Sequence, residues 1–263
     1  MAAQRALIDE LLAALAAAAD PALAPAMQAY MKSALPFLGL ATPQRRRVVA
    51  ETAARHAITD APMLADTALA LWRQATHREQ RYAALDLLRL ARSQKLIGPT
   101  LLPALIEMLR TGPWWDHNDE ISGHALGLLL LREPATLKPL LRRWASGDDL
   151  WLRRAAMLCQ RSIKGAAFDA VLLYDCLLPS VGNAPLAREF FIRKGMGWAL
   201  RERSYAAPDE VQAFCDAYRD RLSPLTLREA LEVLSKRAGA TAAVTASASA
   251  SASASAAPRT RSF

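Results

Sequence analysis

The stretch "WWDHND", residues 114–119, sets two indoles beside two carboxylates in a chain of net charge +8. Carboxylates repel the phosphates that a basic chain attracts, so such a cluster suits an occupant that is itself positive. Trp115 lies four residues before Asp119, and Trp198 four after Lys194, a spacing that puts each pair on one helical face. Asp119, Arg154 and Lys194 follow one another at intervals of 35 and 40 residues. Residues recurring at nearly one interval fall on one surface when the chain repeats. Cations there suit a DNA backbone. The carboxylate suits a positive centre, such as the sugar cation formed as a glycosidic bond breaks or a purine carrying a fixed alkyl charge.

The elements that must present these residues are helices. The chain is rich in Ala and Leu, has 11 Gly, and shows almost no period-two alternation, so it reads as all-α. Four similar segments, "QRYAALDLL" (80–88), "LRRAAMLCQ" (152–160), "IRKGMGWAL" (192–200) and "TLREALEVL" (226–234), recur. Anchored on Arg81, Arg153, Arg193 and Arg228 they step by 72, 40 and 35, and "NDEISGHALGLLL" (118–130) fills the long gap. A period of 35–40 residues built from paired helices predicts an α-solenoid. Pro43, Pro99, Pro103, Pro113, Pro134, Pro179, Pro208 and Pro224 punctuate the helical runs, and Thr42 and Ser223 are expected to cap the helices that follow them.

Residues 1–238 are expected to form one repeat domain. Residues 239–263, a mostly Ala/Ser repeat ending in "PRTRSF", cannot bury enough surface to order and are expected to be disordered. Without residues 238–263 the chain still carries 31 basic against 25 acidic side chains, a balance compatible with nucleic acid. No apolar run approaches a membrane span, and Asp9 and Glu10 make the N-terminus an amphipathic helix rather than a signal peptide. Cys159, Cys176 and Cys215 lie on apolar faces without CxxC spacing and read as buried free thiols. The scattered His56, His77, His117 and His124 form no metal-ligand pattern, and no cofactor is expected.

Most of these residue types have ordinary structural uses. Trp72, Trp144 and Trp151 read as core, and Trp114, about 100° around the helix from Trp115, as turned inward. Asp119 alone reads first as a helix N-cap partner or a salt-bridge acid, and Asp116 and Glu120 read the same way. Arg154 could be solvated or paired with Asp148 or Asp149.

The motifs, taken together, carry a resemblance. "AYMKSALPFLGLATPQRR" (29–46), "LWRQATHREQRYAALDLL" (71–88), "WWDHND" (114–119), "DDLWLRRAAMLCQ" (148–160), "EFFIRKGMGWALRE" (189–202) and "LSPLTLREAL" (222–231) resemble the AlkD family of DNA alkylation-repair glycosylases. The resemblance covers roughly residues 20–237. It implies a superhelix of HEAT-like repeats that excises N3- or N7-alkylated purines from duplex DNA without a base-flipping pocket. The family's catalytic carboxylate falls on Asp119, its active-site tryptophans on Trp115 and Trp198, its arginine on Arg154, and its tyrosine near the lesion on Tyr30. Lys32, Arg45, Arg46, Arg193 and Lys194 are candidate phosphate contacts. A carboxylate about 4 Å from the sugar cation would contribute on the order of 4 kcal/mol at a surface-like dielectric. The expected protein is a cytoplasmic, nucleoid-associated monomer acting as a monofunctional hydrolase on alkylated double-stranded DNA. A non-catalytic helical scaffold and a DNA-structure binder are the alternatives.

Overall fold

A computed structural model describes residues 3–183 and 185–237; the Ala/Ser repeat lies outside the described residues. The described residues are helical throughout, with no strand among them. Residues 1–238, expected as one domain, divide into two compact units, Met1–Ser180 and a second beginning at Val181.

The first unit contains α1 (Arg5–Ala17), α2 (Ala24–Met31), α3 (Thr42–Ala54), α4 (Ala61–Arg73) and α5 (Arg78–Arg89). After a short turn of helix at Ala91–Gln94 come α6 (Leu102–Thr111) and α7, which runs as Trp115–Glu120, a π-helical segment Ile121–Leu126, and Gly127–Arg132. The unit closes with α8 (Pro134–Ser146), α9 (Leu150–Leu158) and α10 (Ala170–Leu177).

The apolar spacing of these segments explains the packing. On α1, Leu7, Ile8, Leu11 and Leu15 form one stripe and are fully buried, as the amphipathic reading requires. On α4 the stripe is Leu64, Ala68, Leu71 and Trp72. Two layers result. The helices α3, α5, α7 and α9 pack each against the next, while α1, α4 and α6 form a backing row, joined further along by α8 and α10. Each front helix buries its apolar stripe against the back row, and one core cluster runs from Leu7 to Cys176. This is the layering of an α-solenoid.

The repeat interval also appears in the ion pairs. Arg45 binds Asp86 41 residues away, Arg78 binds Asp116 at 38, Arg154 binds Asp119 at 35, and Arg142 binds Asp175 at 33. Charges one period apart sit on neighbouring helices of a row, so each pair ties one repeat to the next.

Termini are set locally. Asp60 caps α4 by accepting from the Met63 amide at 2.8 Å, and the Gln80 side chain accepts from the amides of Thr76 and His77 at the start of α5. Thr42 does not cap α3 as expected. The cap position is Ala41, and Thr42 is already the first helical residue, ahead of Pro43. Between α2 and α3 the chain is pinned by Glu79, which is fully buried. Its carboxylate accepts from the amides of Leu38 (2.9 Å), Gly39 (2.9 Å) and Leu40 (3.1 Å). Gly39 has φ +86°, and a Cβ there would stand 1.9 Å from the Asp20 carbonyl oxygen, so only glycine fits.

The second unit holds α11 (Phe190–Ser204), α12 (Pro208–Ala217) and a helix α13 over residues 224–237. Here the cap expectation holds. Ser223 Oγ accepts from the Thr226 amide at 3.0 Å, with Pro224 in the first turn. Replacing Ser223 by Ala should cost about 1 kcal/mol; a thermal melt indistinguishable from wild type would contradict that.

Trp72 and Trp144 are buried as expected, and Trp151 is partly buried, its ring against that of Trp114 at 6.4 Å. All three cysteines are free and buried. Among the described residues no helix is long and apolar enough to cross a membrane.

Candidate active site

The front row α3, α5, α7 and α9 carries the first unit's candidate residues, apart from Tyr30 on α2 and Lys32 just beyond it. The first turn of α7 decides their geometry. Trp114 is the extended cap residue, with φ −148° and ψ 154°, and the helix begins at Trp115. Trp115 and Asp119 therefore lie one turn apart on a single α-helical segment, as their spacing predicts. Trp114 turns its indole nitrogen away from solvent, matching its inward assignment. Trp115 instead lines a cavity of about 310 Å³ together with Tyr30, Phe37, Arg45, Tyr82 and Asp116.

Asp119 is buried, contrary to the exposed patch that the sequence suggests. Only 10% of its side chain meets solvent. Arg154, from α9, lies against it with 3% of its side chain exposed, and Nε and Nη2 each donate to one carboxylate oxygen at 2.9 Å. This paired geometry fixes both planes. Arg154 thus pairs with the candidate carboxylate rather than with Asp148 or Asp149; Asp149 caps α9 and meets Arg110. Burial pushes the Asp119 carboxyl above its ordinary value, opposed by Arg154 and Arg161.

Beyond Glu120 the helix widens into its π segment, a distortion that recurs at functional sites. The Gly127 amide reaches back to the carbonyl of Ser122, five residues earlier. Arg161 crosses this segment over Gly123, where a Cβ would stand 2.4 Å from the guanidinium, and donates to the Asp119 carbonyl at 3.1 Å. Glycine at 123 is what lets the cation approach. Sequence reading singled out neither Arg161 nor the π segment.

The candidate phosphate contacts divide. Tyr30, at 78% exposure, and Lys32 stand in solvent, and Lys32 takes the left-handed conformation at the end of α2. Arg46 keeps 43% of its side chain exposed while bonding Asp86 at 3.2 Å. Arg45 departs from the expectation of a phosphate contact. It is buried, bonds Asp86 at 2.7 Å, and lies 4.7 Å over the Tyr82 ring. Within the second unit, Arg193, Lys194 and Trp198 lie on α11. Lys194 meets Glu229 at 2.6 Å, and the Trp198 indole donates to Glu202 at 3.1 Å. Arg193 is half-buried.

Asp116 and Glu120, read from sequence as N-cap or salt-bridge acids, are both ion-paired. Glu120 bonds Arg89 at 2.7 Å. Asp116 bonds Arg78 at 2.6 Å and accepts from the Tyr82 hydroxyl. The interval between Arg78 and Asp116, close to the repeat period, was the available signal. His117 is fully buried, donates from Nδ1 to the Gly112 carbonyl at 3.2 Å, and is pushed down to about 4 by burial. It stays neutral and does not offer a proton donor to the site.

A family model for DNA alkylation repair enzymes matches residues 11–234. A solved structure described as a predicted DNA alkylation repair enzyme from Enterococcus faecalis is similar at 26% identity and a TM-score of 0.67, over 83% of this chain and 97% of that one. No curated protein matches the chain. The helical layering, the charged front row and the match across most of the sequence agree: the chain belongs to the DNA alkylation repair enzyme family, and its role is in the repair of alkylated DNA.

Proposed function

We propose that the protein is a monofunctional DNA glycosylase that hydrolyses the N-glycosidic bond of cationic N3- and N7-alkylated purines in duplex DNA. The observation that carries the reading is the Asp119 carboxylate, held by two bonds from Arg154 one helical turn from Trp115. An alkylated purine is already a cationic leaving group, so no acid need protonate it. What remains is positive charge growing on the deoxyribose, and a fixed carboxylate favours that charge.

The Arg154 partner lowers the expected gain. A cation about 4 Å from the carboxylate and about 8 Å from the guanidinium gains roughly 2 kcal/mol net at an effective dielectric near 20, half the value for a lone carboxylate. That corresponds to about 30-fold in rate. In return the guanidinium holds the carboxylate in one orientation, leaving lone pairs to direct the attacking water. Trp115 supplies an aromatic face to the cationic substrate. Tyr30 stands by the lesion. Lys32, Arg46, Arg193 and Lys194 are the proposed phosphate contacts, Arg46 and Lys194 sharing their charge with the carboxylates that hold them.

Product analysis tests the reaction type. Methylated duplex DNA incubated with the protein should yield free 7-methylguanine or 3-methyladenine and leave abasic sites in intact strands. Salt-sensitive binding with no base released would instead favour the DNA-structure binder.

The pH dependence has a definite sign. Excision needs ionised Asp119, and burial holds its carboxyl above the ordinary aspartate value. Activity should therefore fall on acidification at a higher pH than an ordinary aspartate would set, after subtraction of spontaneous depurination. A rate that is flat down to the ordinary aspartate range contradicts the role of that carboxylate.

A further inference from the structure

We infer that Asp116 is a positioning residue for the proposed excision: clamped by Arg78 and Tyr82, it locks the first turn of α7 so that Trp115 and Asp119 hold a fixed aim. This rests on the glycosylase reading above.

The geometry is a closed triangle within the first unit. Arg78 Nη2 donates to Asp116 Oδ1 at 2.6 Å, the Tyr82 hydroxyl donates to Oδ2, and Arg78 Nε donates to the Tyr82 oxygen at 3.1 Å. The Arg78 and Asp116 side chains are 8% and 12% exposed. Burial and the neighbouring Asp116 charge push the Tyr82 hydroxyl well above its ordinary value, so it remains a donor. Arg78 also reaches the chain between α2 and α3: its amide donates to the Pro36 carbonyl at 2.9 Å and Nη1 to Ser33 Oγ at 3.4 Å. One arginine therefore joins the first turn of α7 to the segment that follows Tyr30.

His117 fixes the other side of the same turn. Its ring meets Trp72 edge-on at 4.8 Å and Tyr82 at 5.3 Å. A short helical segment that ends in a π distortion is poorly held by its own hydrogen bonds. Each residue is about 100° around the helix, so a small rotation of this turn swings both Trp115 and Asp119. Excision rates are steeply sensitive to such misplacement. A buried charged triad also adds little stability over an apolar one of the same volume, which favours placement as its use here.

The test compares wild type with Asp116→Asn and Tyr82→Phe in single-turnover excision of 7-methylguanine, with DNA affinity, pH profile and thermal melting measured in parallel. Asp116→Asn should slow excision about tenfold with affinity unchanged within about twofold. Asp119 is faced by Arg154 from α9, by Arg161, and by Asp116 from its own helix. Removing the Asp116 charge should therefore move the acid limb of the pH profile to lower pH, which loss of folded protein alone cannot do. Tyr82→Phe removes one hydroxyl and should slow excision about threefold, so the inference stays testable if Asp116→Asn folds poorly. Folded variants with wild-type rate and acid limb overturn this inference while leaving the glycosylase reading intact. A wild type that releases no base overturns both.

Discussion

Asp119→Asn should release 7-methylguanine about 1,000-fold more slowly than wild type while binding DNA with nearly unchanged affinity, because the carboxylate's roughly 4 kcal/mol of attraction is lost while the repulsion from Arg154 stays. The substitution preserves shape and one acceptor but removes the charge that faces the sugar cation. Arg154 then keeps a hydrogen bond to the new side chain yet lies buried without its counter-charge, so a lower melting temperature is also expected. Circular dichroism at the assay temperature separates slower chemistry from loss of fold. Folded Asp119→Asn with wild-type rate would leave the enzyme assignment standing and remove the carboxylate from its mechanism.

Glu79→Ala should produce the largest loss of stability. Three buried amides, those of Leu38, Gly39 and Leu40, lose their acceptor at once. Each unsatisfied donor costs about 1 kcal/mol or more, so the sum is roughly 3–5 kcal/mol. For a protein of this size that lowers Tm by about 10 °C. Glu79→Gln keeps one oxygen for two of the amides and turns an NH2 group toward the third, so its melting should fall between the two. Because this segment leads from Tyr30 to α3, excision should suffer before global unfolding does. A Glu79→Ala melt within about 1 kcal/mol of wild type would contradict this account of the loop.

The helices were legible from composition and breakers, and the repeat interval from four arginine-anchored segments. The stripe of α1 and the burial of Trp72 follow from apolar spacing alone, because burial of a helical face is a local property of the sequence. The same interval placed Asp119 and Arg154 at equivalent positions. In the structure, equivalent positions on α7 and α9 become direct neighbours, so the residues expected to share a face are bonded to each other.

What spacing could not supply was the partner of each charge. Nothing within "TPQRRR" distinguishes Arg45 from Arg46; the side chain of Asp86, on another helix, takes Arg45 into the interior and leaves Arg46 half exposed. Asp116 read as a cap or salt-bridge acid whose partners could not be named, because Arg78 and Tyr82 lie a full repeat away. Thr42 looked like a cap until the preceding residue took that position. Glu79 gave no signal at all, since a carboxylate that binds backbone amides of a distant segment leaves no pattern in side-chain types.

On the proposed mechanism the protein removes a base whose leaving ability is already supplied by its positive charge. Two duplexes differing only at one position, 7-methylguanine in one and neutral hypoxanthine in the other, test it most directly. Free 7-methylguanine should appear with an abasic site left behind, and hypoxanthine should be retained in the strand. Retention of both bases by a protein that still binds the duplexes, or release of hypoxanthine at a comparable rate, would contradict it.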